Sequence, residues 1–318
     1  MNRILADRRA ALVVLIVVAF VVMSLLSPYF LRVDNLLSML QYSAVVGLLA
    51  LGQTMVILGG GGGIDLSVGS TMSLTSVFFG LLAVNAGMSP WAAAVLAIAG
   101  GAVLGLINGA IITTLNLPPL IVTLGTLYLY SSAAQVLANG TDINGFDRDN
   151  FSLIGQSSVA GFPFQVLVIL LPAFALAAFV MAKTRFGREV YEIGSSFVAA
   201  RLVGVPVRRN RIVLYMISGA CAGLGAVVSA SWLLNAKSTV GTGLELQAIT
   251  VAVLGGTVIT GGIGRVSGTF LALLLVAILN SGMVLANIDA TVQLGLLGLV
   301  LIISMLVRTR TAAREAVS

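Results

Sequence analysis

The chain reads as a succession of apolar blocks separated by short polar or turn-forming breaks. The blocks fall at 10–27, 41–59, 64–86, 90–112, 118–139, 163–182, 212–232, 244–260, 266–286 and 290–307. Their lengths match the roughly 17–25 residues a helix needs to cross a hydrocarbon core. The breaks carry turn chemistry: Ser27-Pro28, the glycines at 59–63, Ser89-Pro90, Asn116-Leu117-Pro118-Pro119, Gly161-Phe162-Pro163 and Thr260-Gly261-Gly262. No block shows the strict alternation of a barrel strand. In lipid every backbone polar group needs an internal partner, which leaves helices. The pattern therefore predicts an all-α polytopic membrane protein, a single domain over 1–318 with about ten transmembrane helices. The first block follows Arg3, Arg8 and Arg9 and ends in Ser-Pro-Tyr-Phe rather than a cleavage site, so it reads as a retained helix.

Composition strengthens this reading. Hydrophobic residues make up 58% of the 318 positions and charged residues 9%, too few to coat a soluble fold, in which about 25% are charged. The net charge of +6 does not point to nucleic acid, because the basic residues flank the apolar blocks. With the N-terminus inside, ten crossings place 1–9, 183–211 and 308–318 in the cytoplasm. Those segments hold thirteen of the seventeen Lys and Arg, and Arg265 adds a fourteenth. Only Arg32, Arg148 and Lys237 fall outside, where the longest loop, 140–162, carries Asp142, Asp147 and Asp149. Positive charge stays inside, so both termini are expected to be cytoplasmic, in a bacterial inner membrane. There is no histidine, and the one cysteine, Cys221, lies in an apolar run. Histidine catalysis, a cysteine metal set and an internal disulfide are excluded.

Two stretches carry candidate mechanism. The first is the glycine run ending in Gly62-Gly63-Ile64-Asp65-Leu66-Ser67-Val68-Gly69-Ser70. Consecutive glycines hold a helix poorly, each costing about 1 kcal/mol against alanine. The freed backbone must be buried in protein or line a cavity. Asp65 beside it is a helix cap, a solute contact or a packing residue against another subunit. No Gly-Lys-Ser/Thr follows, so this is not a phosphate loop, and no Gly-x-x-x-x-Gly-Lys-Ser/Thr occurs anywhere in the chain. The second stretch is 183–211, the longest polar segment expected inside. Ser195 or Ser196 can begin a short helix that Gly204 ends. Phe197, Ala200 and Val203 give it one apolar face, for docking into another protein or for lying on lipid. A weak echo links the two halves of the chain: Gly62-Gly63-Ile64 with Gly69-Ser70, and Gly261-Gly262-Ile263 with Gly268-Thr269.

Gly187-Arg188, Gly194, Ala199-Ala200 and Gly204 resemble the coupling loop of ABC importer permeases of the ribose type, which import simple sugars and, in some members, autoinducer-2. The 62–70 stretch, Leu117-Pro118-Pro119-Leu120-Ile121-Val122-Thr123-Leu124-Gly125-Thr126 and Ala252-Val253-Leu254-Gly255-Gly256 are similar to the same family, in the same order. Five glycines stand here where the family has one small residue and two glycines. The resemblance implies no cofactor and no metal. It implies a pathway shared with a second permease, identical or a sister chain, embedded in membrane lipid. It also implies two cytoplasmic P-loop ATPase subunits and a periplasmic solute-binding protein. Coupling would run through Gly187, Arg188, Gly194, Ala199, Ala200 and Gly204. Gly62, Gly63, Asp65 and Ser67 would belong to the pathway or to a helix cap. The rival expectation is an ion-coupled carrier, for which only Asp65, Glu245 and Asp289 lie near membrane segments.

Overall fold

The computed structural model describes residues 8–289 together with 292, 293, 295, 296, 298 and 299. The chain is mostly helical. In order it forms α1 (Arg8–Leu26), α2 (Val33–Leu58), α3 (Val68–Gly80), α4 (Pro90–Thr114), α5 (Pro119–Leu137) and the short α6 (Leu153–Gln156). Then come α7 (Leu171–Lys183), α8 (Arg185–Ser195), α9 (Phe197–Leu202), α10 (Val207–Leu233), α11 (Leu244–Leu254) and α12 (Val266–Leu285). A π-turn over Leu81–Asn85 prolongs α3, and another over Gln165–Leu170 leads into α7. Among the described residues, seven of these units are long and apolar enough to cross a membrane: α2, α3 with its extension, α4, α5, α7 with its lead-in, α10 and α12. The apolar stretch of α1, Ala10–Leu26, and α11 are shorter.

Helix α2 runs through the middle of the bundle, with α10, α11 and α12 packed on it. The largest helix–helix interface joins α4 to α10. A three-glycine stripe makes it possible: Gly101, Gly105 and Gly109 of α4 face Gly219, Tyr215 and Ile212 of α10. A Cβ on Gly105 would overlap the Tyr215 carbonyl, and on Gly109 it would stand 2.8 Å from Ile212 Cα. Without water to drive helices together, close backbone approach is what small residues provide.

The segment between α5 and α7 seals one end of the bundle. Phe146 and Phe151 are fully buried, and Phe151 stacks on Phe79 of α3 at 5.0 Å. Arg148 donates to the carbonyls of Ala83 and Met88 at 2.6 and 2.7 Å, serving groups left open where α3 ends in its π-turn. A two-stranded hairpin lies here, β1 (Ser158–Val159) and β2 (Phe162–Pro163), antiparallel with Val159 opposite Phe162. Its turn residues Ala160 and Gly161 both have positive φ, 51° and 81°, as a tight hairpin turn with right-handed twist requires.

The structure moves several element boundaries from those the apolar blocks suggest. Helices α2 and α10 start at Val33 and Val207 rather than at 41 and 212, because their polar first turns are helical too. Asn35 is tied to the Phe30 carbonyl and Asn210 to Glu189. Helix α3 begins at Val68 rather than 64, since Asp65 and Ser67 form a turn. Helix α11 stops at Leu254 rather than 260, because Gly256 has φ +92° and backbone of α12 packs against Gly255. At about 1.5 Å per residue its eleven residues cover only about 16 Å. The block at 290–307 lies largely outside the described residues.

Candidate functional site

At the end of the bundle where α2 stops, three glycine segments meet. The chain leaves α2 through Gly60, Gly61 and Gly62, whose φ values are +73°, +64° and +66°. Three left-handed residues in succession are open only to glycine at low cost. The backbone from Gly261 to Gly264, between α11 and α12, lies against this turn, and Gly262 N–H donates to the Leu58 carbonyl at 3.0 Å. Gly194, near the end of α8, wedges between the two. A Cβ on Gly60 would stand 2.6 Å from Gly194 Cα, and one on Gly262 2.8 Å from Ser195 N. Thus the turn that leaves α2 and the turn that enters α12 abut at Gly60 and Gly261, and Gly194 of α8 sits on both.

Helices α8 and α9 are fixed on this junction by side chains. Thr184 caps α8, accepting from Gly187 N–H at 3.2 Å, and Ser196 caps α9, accepting from Ala199 N–H at 3.2 Å. The Tyr191 hydroxyl donates to the Gly264 carbonyl at 3.0 Å. The Phe197 ring covers Gly61, and the Arg211 guanidinium lies 5.0 Å above that ring. Glu189 accepts from Asn210 of α10 and from Arg185, both at 2.7 Å. The Asn210 amide first, then Arg185, hold its carboxyl below the ordinary glutamate range. Burial raises the Tyr191 hydroxyl, with Arg265 opposing.

Between α2 and α3 the chain turns back into the bundle, and Asp65 is buried there at 2% exposure. One carboxylate oxygen accepts from Ser67 N–H at 3.1 Å and Ser67 Oγ at 2.6 Å, and the other from Ser218 Oγ of α10 at 2.8 Å. Asn108 of α4 donates to Ser67 Oγ at 2.8 Å, and the Tyr130 hydroxyl of α5 donates to Asn108 Oδ1 at 3.3 Å. In the amide orientation that satisfies both groups, Gln53 of α2 brackets the Asp65 backbone N–H and C=O at 3.2 Å. Ser218 is eleven residues into α10, so the carboxylate sits about 16 Å along the bundle from that helix's start. Every described partner of Asp65 is uncharged: its carboxylate ties the turn to α10, and the wider network through Gln53, Asn108 and Tyr130 reaches α2, α4 and α5.

The sequence-derived residues separate into these two places. Gly62 faces open space, while Gly63 packs on the Val56 carbonyl and Asp65 and Ser67 share the buried network. A Cβ on Gly187 would overlap the carbonyls at the end of α7. Arg188, Ala199 and Gly204 are exposed, and Gly204 ends α9 at φ +82°. Ala200 differs from expectation: it is 2% exposed and packs with Ile193 and Val207. Phe197 and Ala200 face inward, so the outward apolar surface of α9 is Val198, Leu202 and Val203, at 70%, 82% and 73% exposure. Sequence reasoning also missed Asn108, Ser218 and Tyr130. A lone amide within the apolar run of α4 was the available signal.

A bundle with seven described helices long and apolar enough to cross a membrane is the build of an integral membrane protein. Over residues 35–305 the chain matches the permease family described as branched-chain amino acid transport system, permease component. It is 36% identical over 294 residues to the ribose import permease of Bacillus subtilis, covering 92% of this chain and 90% of that one. With the ribose import permease of Escherichia coli K12 it shares 34% over 306 residues, 95% and 94% of the two chains. With the autoinducer 2 import system permease of Photorhabdus laumondii it shares 33% over 305 residues, 94% and 90%. The chain belongs to this permease family. It is the transport subunit of an ABC importer in the bacterial inner membrane, and ATP hydrolysis lies in separate subunits. An ATPase and a solute-binding protein are its partners in general terms, and the ion-coupled carrier is not favoured.

Proposed function

We propose that the chain imports a simple sugar or sugar-like solute, as one of two permeases that share a pathway and work with two ATPase subunits and a periplasmic binding protein. The relatives over nine-tenths of the chain handle ribose or autoinducer 2, which supports this solute class. In this reading the chain crosses the membrane ten times, with α11 and the turn after it counted as one crossing. Both termini and α8–α9 lie in the cytoplasm, consistent with the fourteen-to-three division of basic residues.

The observation that carries the mechanism is the outward face of α9. Val198, Leu202 and Val203 project from α9, which Phe197 seats on Gly61, while Gly194 of the adjoining α8 packs against both glycine turns. An ATPase cleft that receives this face moves α8, and α8 displaces the ends of α2 and α12 together, switching the bundle between inward-open and outward-open states. Helix α5 supplies the pathway in this reading. Gly125, Tyr128, Ser132 and Gln135 are exposed along one of its faces, and polar groups on a membrane helix belong to a water-filled passage or to a protein contact.

Uptake by the assembled importer of labelled D-ribose, autoinducer-2 and L-leucine tests the solute class. ATP-dependent uptake of ribose or autoinducer-2 is expected. Uptake of leucine alone would move the chain to the amino acid transport named in the family's description.

A further inference from the structure

A cavity of about 710 Å³ opens between the end of α7 and the start of α12, with α8 along one side. Ala178, Met181 and Val266 make an apolar floor, and Arg188, Arg265 and Tyr191 form a polar rim. The tyrosine hydroxyl is already committed to Gly264. The arginines differ: both are exposed, and neither makes an ion pair among the described residues. Among the described residues no carboxylate lines the cavity. Glu189 on the same helix is engaged by Arg185 and Asn210 instead.

Two unpaired cations over an apolar floor, at the ends of two membrane helices, make an amphipathic pocket. An anion alone would leave the floor wet. A neutral lipid would leave the arginines unanswered. An acidic protein surface would meet the arginines but gain little from a recess floored by membrane-helix side chains. We infer that this cavity holds the headgroup of an anionic phospholipid, its phosphate set between Arg188 and Arg265 and its first acyl carbons on Ala178, Met181 and Val266. Basic pockets between helices at the cytoplasmic face recognise lipids of this class. The inference rests on the cytoplasmic placement of this end proposed above, and its occupant would touch the Gly262–Gly264 turn and α8 at once.

The test uses the purified complex with its ATPase subunits, delipidated in detergent, and does not depend on sidedness. Phosphatidylglycerol, phosphatidylcholine of the same chain length, and inorganic phosphate are titrated, and bound lipid is read by native mass spectrometry alongside the thermal midpoint. Phosphatidylglycerol should stay bound and raise the midpoint, whereas phosphatidylcholine and phosphate should do neither. Arg188→Gln or Arg265→Gln should each weaken phosphatidylglycerol about fivefold, and the pair about 25-fold, at the strength of one surface cation per anionic lipid. Arg→Lys at both positions should restore most of it. Equal effects of the two lipids, an effect of phosphate matching that of the lipid, or unchanged binding in the double Gln variant would each overturn the proposal. Loss of the ATPase subunits from that variant with lipid binding intact would assign the arginines to subunit docking.

Discussion

Asp65 shows how one side chain holds an irregular turn inside a bundle. Its two oxygens receive three donors, from Ser67 and Ser218. Asp65→Asn keeps an acceptor oxygen, so folded yield and most uptake should survive. Asp65→Leu leaves the Ser67 N–H and the Ser218 hydroxyl without their partner, at a cost of about 1–3 kcal/mol for each orphaned group. Its detergent-stable yield and thermal midpoint should fall together with uptake; normal folding with lost uptake would instead place Asp65 in the solute pathway. Gly194→Ala is a second residue-scale test. The new methyl would overlap the Leu58 carbonyl and Gly262 N, an overpacking that costs about 1–3 kcal/mol. Gly100→Ala, whose Cβ meets only Phe78 at 3.5 Å, should be tolerated. Thermal melts and uptake of the two variants side by side check this contrast. That the chain breaks from helix into a turn at the glycine run and Asp65 was legible in the sequence, because a carboxylate and five glycines stand out in apolar surroundings. Ser218 was not, since a serine within a small-residue helix such as α10 gives no signal until the turn is seen beside it.

At the scale of elements, the pair α8–α9 is the unit to test. A serine cap at 195 or 196 and Gly204 as a stop were readable from sequence chemistry, and the structure selects Ser196. The direction α9 faces was not: six residues make under two turns, and only Ile193 and Val207 reveal which side is covered. Ala200→Glu would therefore bury a charge within the permease itself and unseat α9. Leu202→Glu isolates docking, because that side chain is 82% exposed. Normal permease levels in the membrane, with ATPase subunits lost on co-purification, are expected; an intact complex with full uptake would remove α9 as the coupling element. The Glu189 tether from α8 to α10 adds a pH dependence. Its carboxyl is depressed in the folded protein, so its stabilisation is fully present above the unfolded pKa and is lost as pH falls through the folded one. The thermal advantage of wild type over Glu189→Gln should shrink as the pH drops below the ordinary glutamate range. Helix α11 was the element read least well, because an apolar run cannot show that its final glycines belong to a turn.

For the whole molecule, the orientation of the bundle remains the prediction with the widest reach. In a Cys221→Ser background, cysteine at Lys237 should react with an impermeant thiol reagent added to intact cells, and cysteine at Ser195 only after lysis. Labelling of position 195 from outside would invert the assignment. The glycine junction then sets how force can travel through the molecule. Where Gly60, Gly194 and Gly261 touch, main chain bears directly on main chain, with no rotamer to turn and no long side chain to bend. Close-packed protein has low compressibility, so such a seat has little give: under the proposed coupling, a displacement at α8 would reach α2 and α12 nearly undiminished. The junction acts as a stiff bearing rather than a spring. If α9 receives the ATPase as proposed, the stroke available to the solute pathway would be set by how far that partner pushes, with little of it absorbed in the linkage.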